Sequence, residues 1–202
     1  MSIYFEDLIA DVTRELGTHT FTHDEMVDFS ADFDPQPFHL DDAAGNASIY
    51  GGLIASGWHT TAVWLRHLVD DRNRERDHML FRGERPARYG PSPGFEKLQW
   101  LKPIRASDSI RFTTRIIEKR DSRSRPAVGL AIYQNEGINQ HGEKVFALTS
   151  KMFVERREPL RDSGRRCFSE PGTTSPAAFR RVRQRSCDQP ARLPTARTAH
   201  SG

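Results

Sequence analysis

The sequence predicts an α+β domain built on an antiparallel sheet. Helical apolar spacing fills the stretch from about residue 23 to residue 69, β-like patterning fills the stretch from 97 to 155, and both periodicities end at Arg156. Helices first and strands later is the order of an α+β chain rather than of repeating βαβ units.

The first helix has a clear start. Thr22 can cap exposed amides while Glu25 reaches back to the Thr22 backbone, and Met26, Phe29 and Phe33 follow on one face. It must stop at Asp34, because Asp34 precedes Pro35 and Pro37 follows two residues later. Gly51-Gly52 then opens a second helical run, with Leu53, Ile54, Trp58, Ala62, Leu65, Leu68 and Val69 on one broad face. Polar residues are scarce in its first half, which predicts a helix covered on more than one side. Residues 71 to 95 read as a connection with a short strand at 79 to 82, since they are charged and then rich in Gly and Pro. Strands are expected at 97–102, 109–118, 127–135 and 144–155, with a hairpin connection between Gly137 and Gly142.

Charge divides the chain. Of 202 residues with a formal net charge of +3, the segment Arg156–Gly202 holds eleven arginines and four acidic residues, so residues 1–155 are net acidic. The basic balance therefore belongs to the end of the chain and is no nucleic-acid signature of the folded part. We expect a domain at 1–155 and an Arg/Pro/Ser-rich tail at 156–202 that cannot bury enough apolar surface to order itself. Cys167 and Cys187 both fall in that tail, too far apart for a Cys-x-x-Cys motif and without a His pair, so neither a zinc site nor a disulfide framework is expected. No run approaches the roughly 20 apolar residues of a membrane span, and the first residues lack a signal pattern. A cytoplasmic protein follows as the expectation.

The segment Asp34-Pro35-Gln36-Pro37-Phe38-His39-Leu40-Asp41 is the most informative. It sets a carboxylate and an imidazole five residues apart on a proline-stiffened loop, the two groups that proton transfer near neutral pH requires. Glycine-rich phosphate loops, metal-binding His pairs and a serine nucleophile elbow are missing from the sequence.

This segment resembles the MaoC-family motif, Asp-x-Asn-Pro-hydrophobic-His followed shortly by Asp, with Gln36 in the place of Asn. Tyr50-Gly51-Gly52-Leu53-Ile54-Ala55-Ser56-Gly57 resembles the family's entry into its central helix. Leu98 to Ile110, with Lys102-Pro103-Ile104 and Asp108, is similar to its strand, Lys-Pro-Val turn and next strand. The resemblance implies a single hotdog domain, an antiparallel sheet wrapped around a long central helix, paired with a second copy as a homodimer. It implies hydration or dehydration of a coenzyme A or carrier-protein thioester, with coenzyme A as part of the substrate and no separate cofactor, metal, membrane or nucleic-acid partner.

Carried over by position, the catalytic roles fall on Asp34 and His39, with the Gly57 amide facing the enolate oxygen; free amides at a helix start favour an anion. Ser56, Trp58 and His59 become candidate substrate contacts, although a helix histidine hydrogen-bonded inside the core is the simpler reading of His59. Arg82 and Lys102, with Arg85, Arg88 and Arg105, are candidate contacts for coenzyme A phosphates. Leu65 stands where some R-specific hydratases carry a hydroxyl residue. Two other activities remain open, a hotdog thioesterase and a non-catalytic hotdog that binds acyl thioesters. No acidic residue occurs between Leu53 and Val69, where thioesterase hotdogs usually carry their carboxylate.

Overall fold

The computed structural model describes residues 4–160. Five strands, β1 (Thr13–Thr20), β2 (Phe95–Trp100), β3 (Ser109–Asp121), β4 (Val128–Ile138) and β5 (Lys144–Glu155), form one antiparallel sheet in the order β1-β3-β4-β5-β2. Four helices precede β2: α1 (His23–Phe33), α2 (Pro37–Leu40), α3 (Asp42–Ala47) and the long α4 (Gly57–Phe81). The core lies between α4 and one face of the sheet, where Trp64 and Leu68 meet Leu16, Phe112, Phe146 and Leu148. A second cluster at the far end joins Phe5, Ile116, Ala131, Tyr133 and Val154.

Helix α1 starts and stops where its sequence dictates. Thr22 accepts from the Glu25 amide and the Glu25 carboxylate accepts from the Thr22 amide. At the other end the Asp34 amide still donates to Ser30, and the two prolines then turn the chain into α2.

Four expectations change. The stretch 79–82 is not a strand, because α4 runs on to Phe81. Its charged second half is a solvated helical surface carrying an Arg66–Asp70 pair one turn apart and tied across to Arg14 of β1 through Asp71 and Glu75. It ends at Gly83, whose positive φ of 70° suits a residue just past a helix. Nor is α4 covered on several sides, since Trp58, Leu65 and Val69 are roughly half exposed along one stripe while Trp64 and Leu68 are buried against the sheet. Strand β1, which the apolar pattern leaves unmarked, pairs with β3 and buries only Leu16 and part of its backbone. Leu53 and Ile54, expected on the face of the second helix, lie ahead of it, since α4 begins only at Gly57 behind its Ser56 cap.

The folded contacts also pass residue 155. Arg156 packs over the Phe5 ring and pairs with Glu6 and Asp121, and Arg157 pairs with Asp7. The remainder of the expected tail, with both cysteines, lies outside the described residues. Among the described residues no helix is long and apolar enough to cross a membrane.

Candidate active site

The end of α1, helix α2 and the start of α4 converge on a cavity of about 510 Å³. Asp34, His39, Gly57, Trp58 and Lys102 line it, together with Gln36, Tyr50, Trp100 and Ile104. Asp34 is the only carboxylate among the lining residues.

The imidazole of His39 is buried, and its Nδ1 lies 2.8 Å from the carbonyl oxygen of Ile54. A carbonyl only accepts, so Nδ1 carries the hydrogen, and in the neutral form of the ring Nε2 on its other side is a bare acceptor. That nitrogen stands 3.4 Å from Asp34 Oδ2. The chain Leu53-Ile54-Ala55 holds the ring from behind, because the Ile54 amide donates to Phe38 and the Ala55 amide donates to Ile104.

Both oxygens of Asp34 are held. Ser56 Oγ donates to Oδ2 at 2.6 Å and the Gln36 side-chain amide donates to Oδ1 at 2.8 Å. The Ser56 hydrogen bond, with help from Gln36, holds the Asp34 carboxyl below the usual carboxylate range despite the opposing effect of burial. Ser56 is fully buried and also caps α4, accepting from the Trp58 amide.

Replacing Ser56 by Ala removes both bonds. We expect about 1 kcal/mol of lost stability from the cap and an Asp34 carboxyl that titrates at higher pH. Because the folded carboxyl lies below its unfolded value, its stabilising contribution is present above the unfolded value and fades as pH falls through the folded one. The stability gap between wild type and Ser56→Ala should therefore narrow in acid, and any acid limb of a pH–rate profile should move to higher pH. Denaturant titrations at several pH values measure the first effect; an unchanged gap would detach Ser56 from the titration of Asp34.

Gly57 is the first residue of α4, and its amide has no intrahelical partner by position. A Cβ at Gly57 would overlap the Trp100 indole. Trp100 lies across this turn, donating through Nε1 to Thr61 Oγ1 at 3.2 Å and meeting Trp58 edge-on at a centroid distance of 5.3 Å. Lys102 sits at the cavity wall and pairs with Glu143 at 2.6 Å. Asp41 is a structural member of the motif, capping α3 by accepting from the Ala44 amide at 2.8 Å.

Two candidate contacts fall elsewhere and are corrected. His59 points into the core, stacked on Phe29 at 4.6 Å and edge-on to Phe21, with Nδ1 unpartnered; burial pushes its basicity down, which keeps it neutral there. The helical periodicity that puts Gly57 and Trp58 at the cavity turns residue 59 away from it. Arg82 follows the last turn of α4, roughly 37 Å along the axis from Gly57 at 1.5 Å per residue, and pairs with Glu84. Because α4 runs on to Phe81 where a short strand is expected, Arg82 is carried to the far end of the helix. Arg85 and Arg88 bind Glu155, and Arg105 donates to the Tyr50 carbonyl.

The sequence assigned no role to Tyr50 or Trp100, although both belong to the resembling segments. An aromatic in β2 facing a glycine at a helix start carries no local signal, since the two meet only in the fold.

A five-stranded antiparallel sheet packed on one long helix, with a buried histidine and a carboxylate facing a cavity at the helix start, defines a hotdog-class domain. The sequence profile of the MaoC like domain matches residues 8–135, and the chain belongs to that family, which includes hydratases and dehydratases. Among solved structures, a MaoC-like dehydratase from Rhodospirillum rubrum is 32% identical and aligns over 78% of this chain and 99% of its own, with a TM-score of 0.64. An R-hydratase from Pseudomonas aeruginosa shares the fold at 17% identity and a TM-score of 0.55, covering 88% of this chain and 97% of its own. The uncharacterized protein YdeM of Bacillus subtilis is 22% identical over 141 residues, 66% of this chain and 85% of that protein.

Proposed function

We propose that the protein is an enoyl-thioester hydratase or dehydratase in which Asp34 and His39 together hold the reacting water. The observation that carries this reading is the approach of His39 Nε2 to Asp34 Oδ2, 3.4 Å apart at a cavity wall, two acceptors when the ring is neutral. Two acceptors repel one another unless a donor sits between them. A water about 2.8 Å from each atom completes a triangle and donates one hydrogen to each. Its lone pairs then face the cavity, where an enoyl thioester would present its β carbon.

In hydration the water oxygen bonds to the β carbon, the carbon–carbon π pair moves onto the thioester oxygen, and one water proton passes to the dyad. Collapse of the enolate takes a proton back at the α carbon, so one water is consumed and the dyad ends as it began; dehydration is the reverse. The charge developing on the thioester oxygen needs a preorganised donor, and the free amide of Gly57 at the start of α4 supplies one. Trp58 and Trp100 offer the acyl chain apolar walls, while Lys102 is placed for a coenzyme A phosphate. The chemistry needs no cofactor beyond the thioester itself.

We also propose that a second copy covers the half-exposed stripe of Trp58, Leu65 and Val69 and the largely exposed edge strand β2. An apolar stripe on a core helix beside an unpaired strand edge is a surface that assembly would bury.

The absorbance of the conjugated thioester, followed with crotonyl-CoA and longer trans-2-enoyl-CoAs, tests the activity. Wild type should discharge it and His39→Gln should not. Rapid release of free thiol without change at the double bond would instead establish a thioesterase, with Asp34 activating water at the carbonyl carbon.

A further inference from the structure

Arg72, in the second half of α4, is a cation without a counter-ion. It makes neither an ion pair nor a hydrogen bond among the described residues, and its guanidinium rests on two phenol rings, 5.0 Å from the Tyr89 centroid and 6.0 Å from that of Tyr133. Two cavities meet at it. One, of about 440 Å³, lies between α4 and the segment Pro86–Tyr89 with Val69 and Met79 in its wall. The other, of about 210 Å³, runs beneath Leu8 and Ile9 to Leu68, Ile116 and Tyr133. Arg72 and Tyr89 line both.

The other charged groups along these walls are all paired. Arg14 is joined to Asp71 and Glu75, Arg76 to Asp77, Arg88 to Glu155, and Asp7 to Arg157. Of the charged side chains lining these cavities, Arg72 is the one with neither an ion pair nor a hydrogen bond among the described residues. Holding a half-buried guanidinium without an anion is unfavourable, and the two ring contacts offset only part of that cost. The hydroxyls of Tyr89 and Tyr133 also make no hydrogen bond among the described residues, so three donors lack acceptors in one place. Burial pushes both phenols upward in pKa, so they remain protonated donors throughout the neutral range.

We propose that the paired cavities at Arg72 bind an amphipathic monocarboxylate, a free medium-chain acid whose carboxylate takes the fork of Arg72 and the Tyr89 and Tyr133 hydroxyls while its chain lies on the apolar walls. A planar guanidinium matches a carboxylate with two parallel bonds. One unpaired cation neutralises one negative charge, which suits a carboxylate better than a phosphate dianion. The aliphatic lining of Leu8, Leu68, Ile116 and Met79 calls for a hydrocarbon body. Along α4 of the same chain the site lies fifteen residues beyond Gly57, roughly 22 Å at 1.5 Å per residue, and it does not depend on the activity proposed above.

The probe is octanoate, titrated calorimetrically into the full chain and compared with 1-octanol and octylamine. Wild type should bind octanoate and discriminate against both analogues, which by itself needs no variant to fold. Arg72→Met should weaken octanoate about tenfold or more, as loss of one charge-assisted pair implies. Asp34→Asn should leave octanoate binding unchanged, separating this site from the cavity at Gly57. Equal affinity for octanoate and octanol, no binding by wild type, or equal binding by Arg72→Met would overturn the proposal. Dissociation of an oligomer on Arg72→Met would overturn it too, by assigning the missing anion to a second copy of the chain.

Discussion

Replacing Asp34 by Asn is expected to lower kcat for hydration of crotonyl-CoA by about 10²- to 10⁴-fold, the range for loss of a positioned acid or base, with KM little changed. The isostere keeps the frame intact. Its amide oxygen can still accept from Ser56 Oγ, which stands 2.6 Å from the carboxylate in the wild type. Ser56 Oγ and His39 Nε2 share that Oδ2 position, so the Asn nitrogen takes the Oδ1 position and meets the Gln36 side chain, which turns its amide over to accept. What is lost is the negative charge and basicity of the carboxylate, so the water beside His39 loses the partner that would take its proton. Unchanged circular dichroism and a thermal midpoint close to that of wild type would confirm that the fold is untouched. If Asp34→Asn retains wild-type kcat, the carboxylate has no part in the chemistry and the water must be activated by His39 alone.

A comparable loss should follow from adding a single methyl group at Gly57. The backbone there is ordinary helix, where alanine is intrinsically favoured over glycine, so the harm comes only from space. A Cβ at that position overlaps the indole of Trp100. Trp100 is tied to Thr61 by its Nε1 hydrogen bond and to Trp58 by ring contact, so the overlap is relieved either by forcing the indole into the cavity or by pushing the first turn of α4 away. Overpacking of this kind costs about 1–3 kcal/mol, and displacement of a donor amide from a developing oxyanion lowers kcat by about 10²- to 10³-fold. The double variant Gly57→Ala/Trp100→Ala should recover most of the stability and a large part of the rate. Failure of the second substitution to rescue the first would mean that the overlap is not what harms Gly57→Ala.

What could be read in the sequence was local. The capping pair Thr22 and Glu25, the stop imposed by Pro35 and Pro37, and the five-residue spacing of Asp34 and His39 are all set by neighbours along the chain, and the structure returns α1 and β5 at their expected limits. Strand β1 was illegible because Thr13-Arg14-Glu15-Leu16-Gly17-Thr18-His19-Thr20 offers one buried apolar side chain, with a bulge between Glu15 and Gly17 that breaks the alternation. The second half of α4 was misread because its helicity rests on charged residues at helical spacing and on Met79 alone in the core. The meeting of Gly57 with Trp100, and of Arg72 with Tyr89 and Tyr133, brings together residues far apart in sequence, which no window along the chain can display.

Ser56 gives this arrangement one more property. The same hydroxyl closes the first turn of the long helix and grips the carboxylate of the loop before it, accepting from the Trp58 amide and donating to Asp34. Fraying at the helix tip and misalignment of Asp34 are then a single event. On gentle warming, catalysis should fail in step with hydrogen exchange at the Trp58 amide and ahead of global melting, making turnover a thermometer for one turn of backbone.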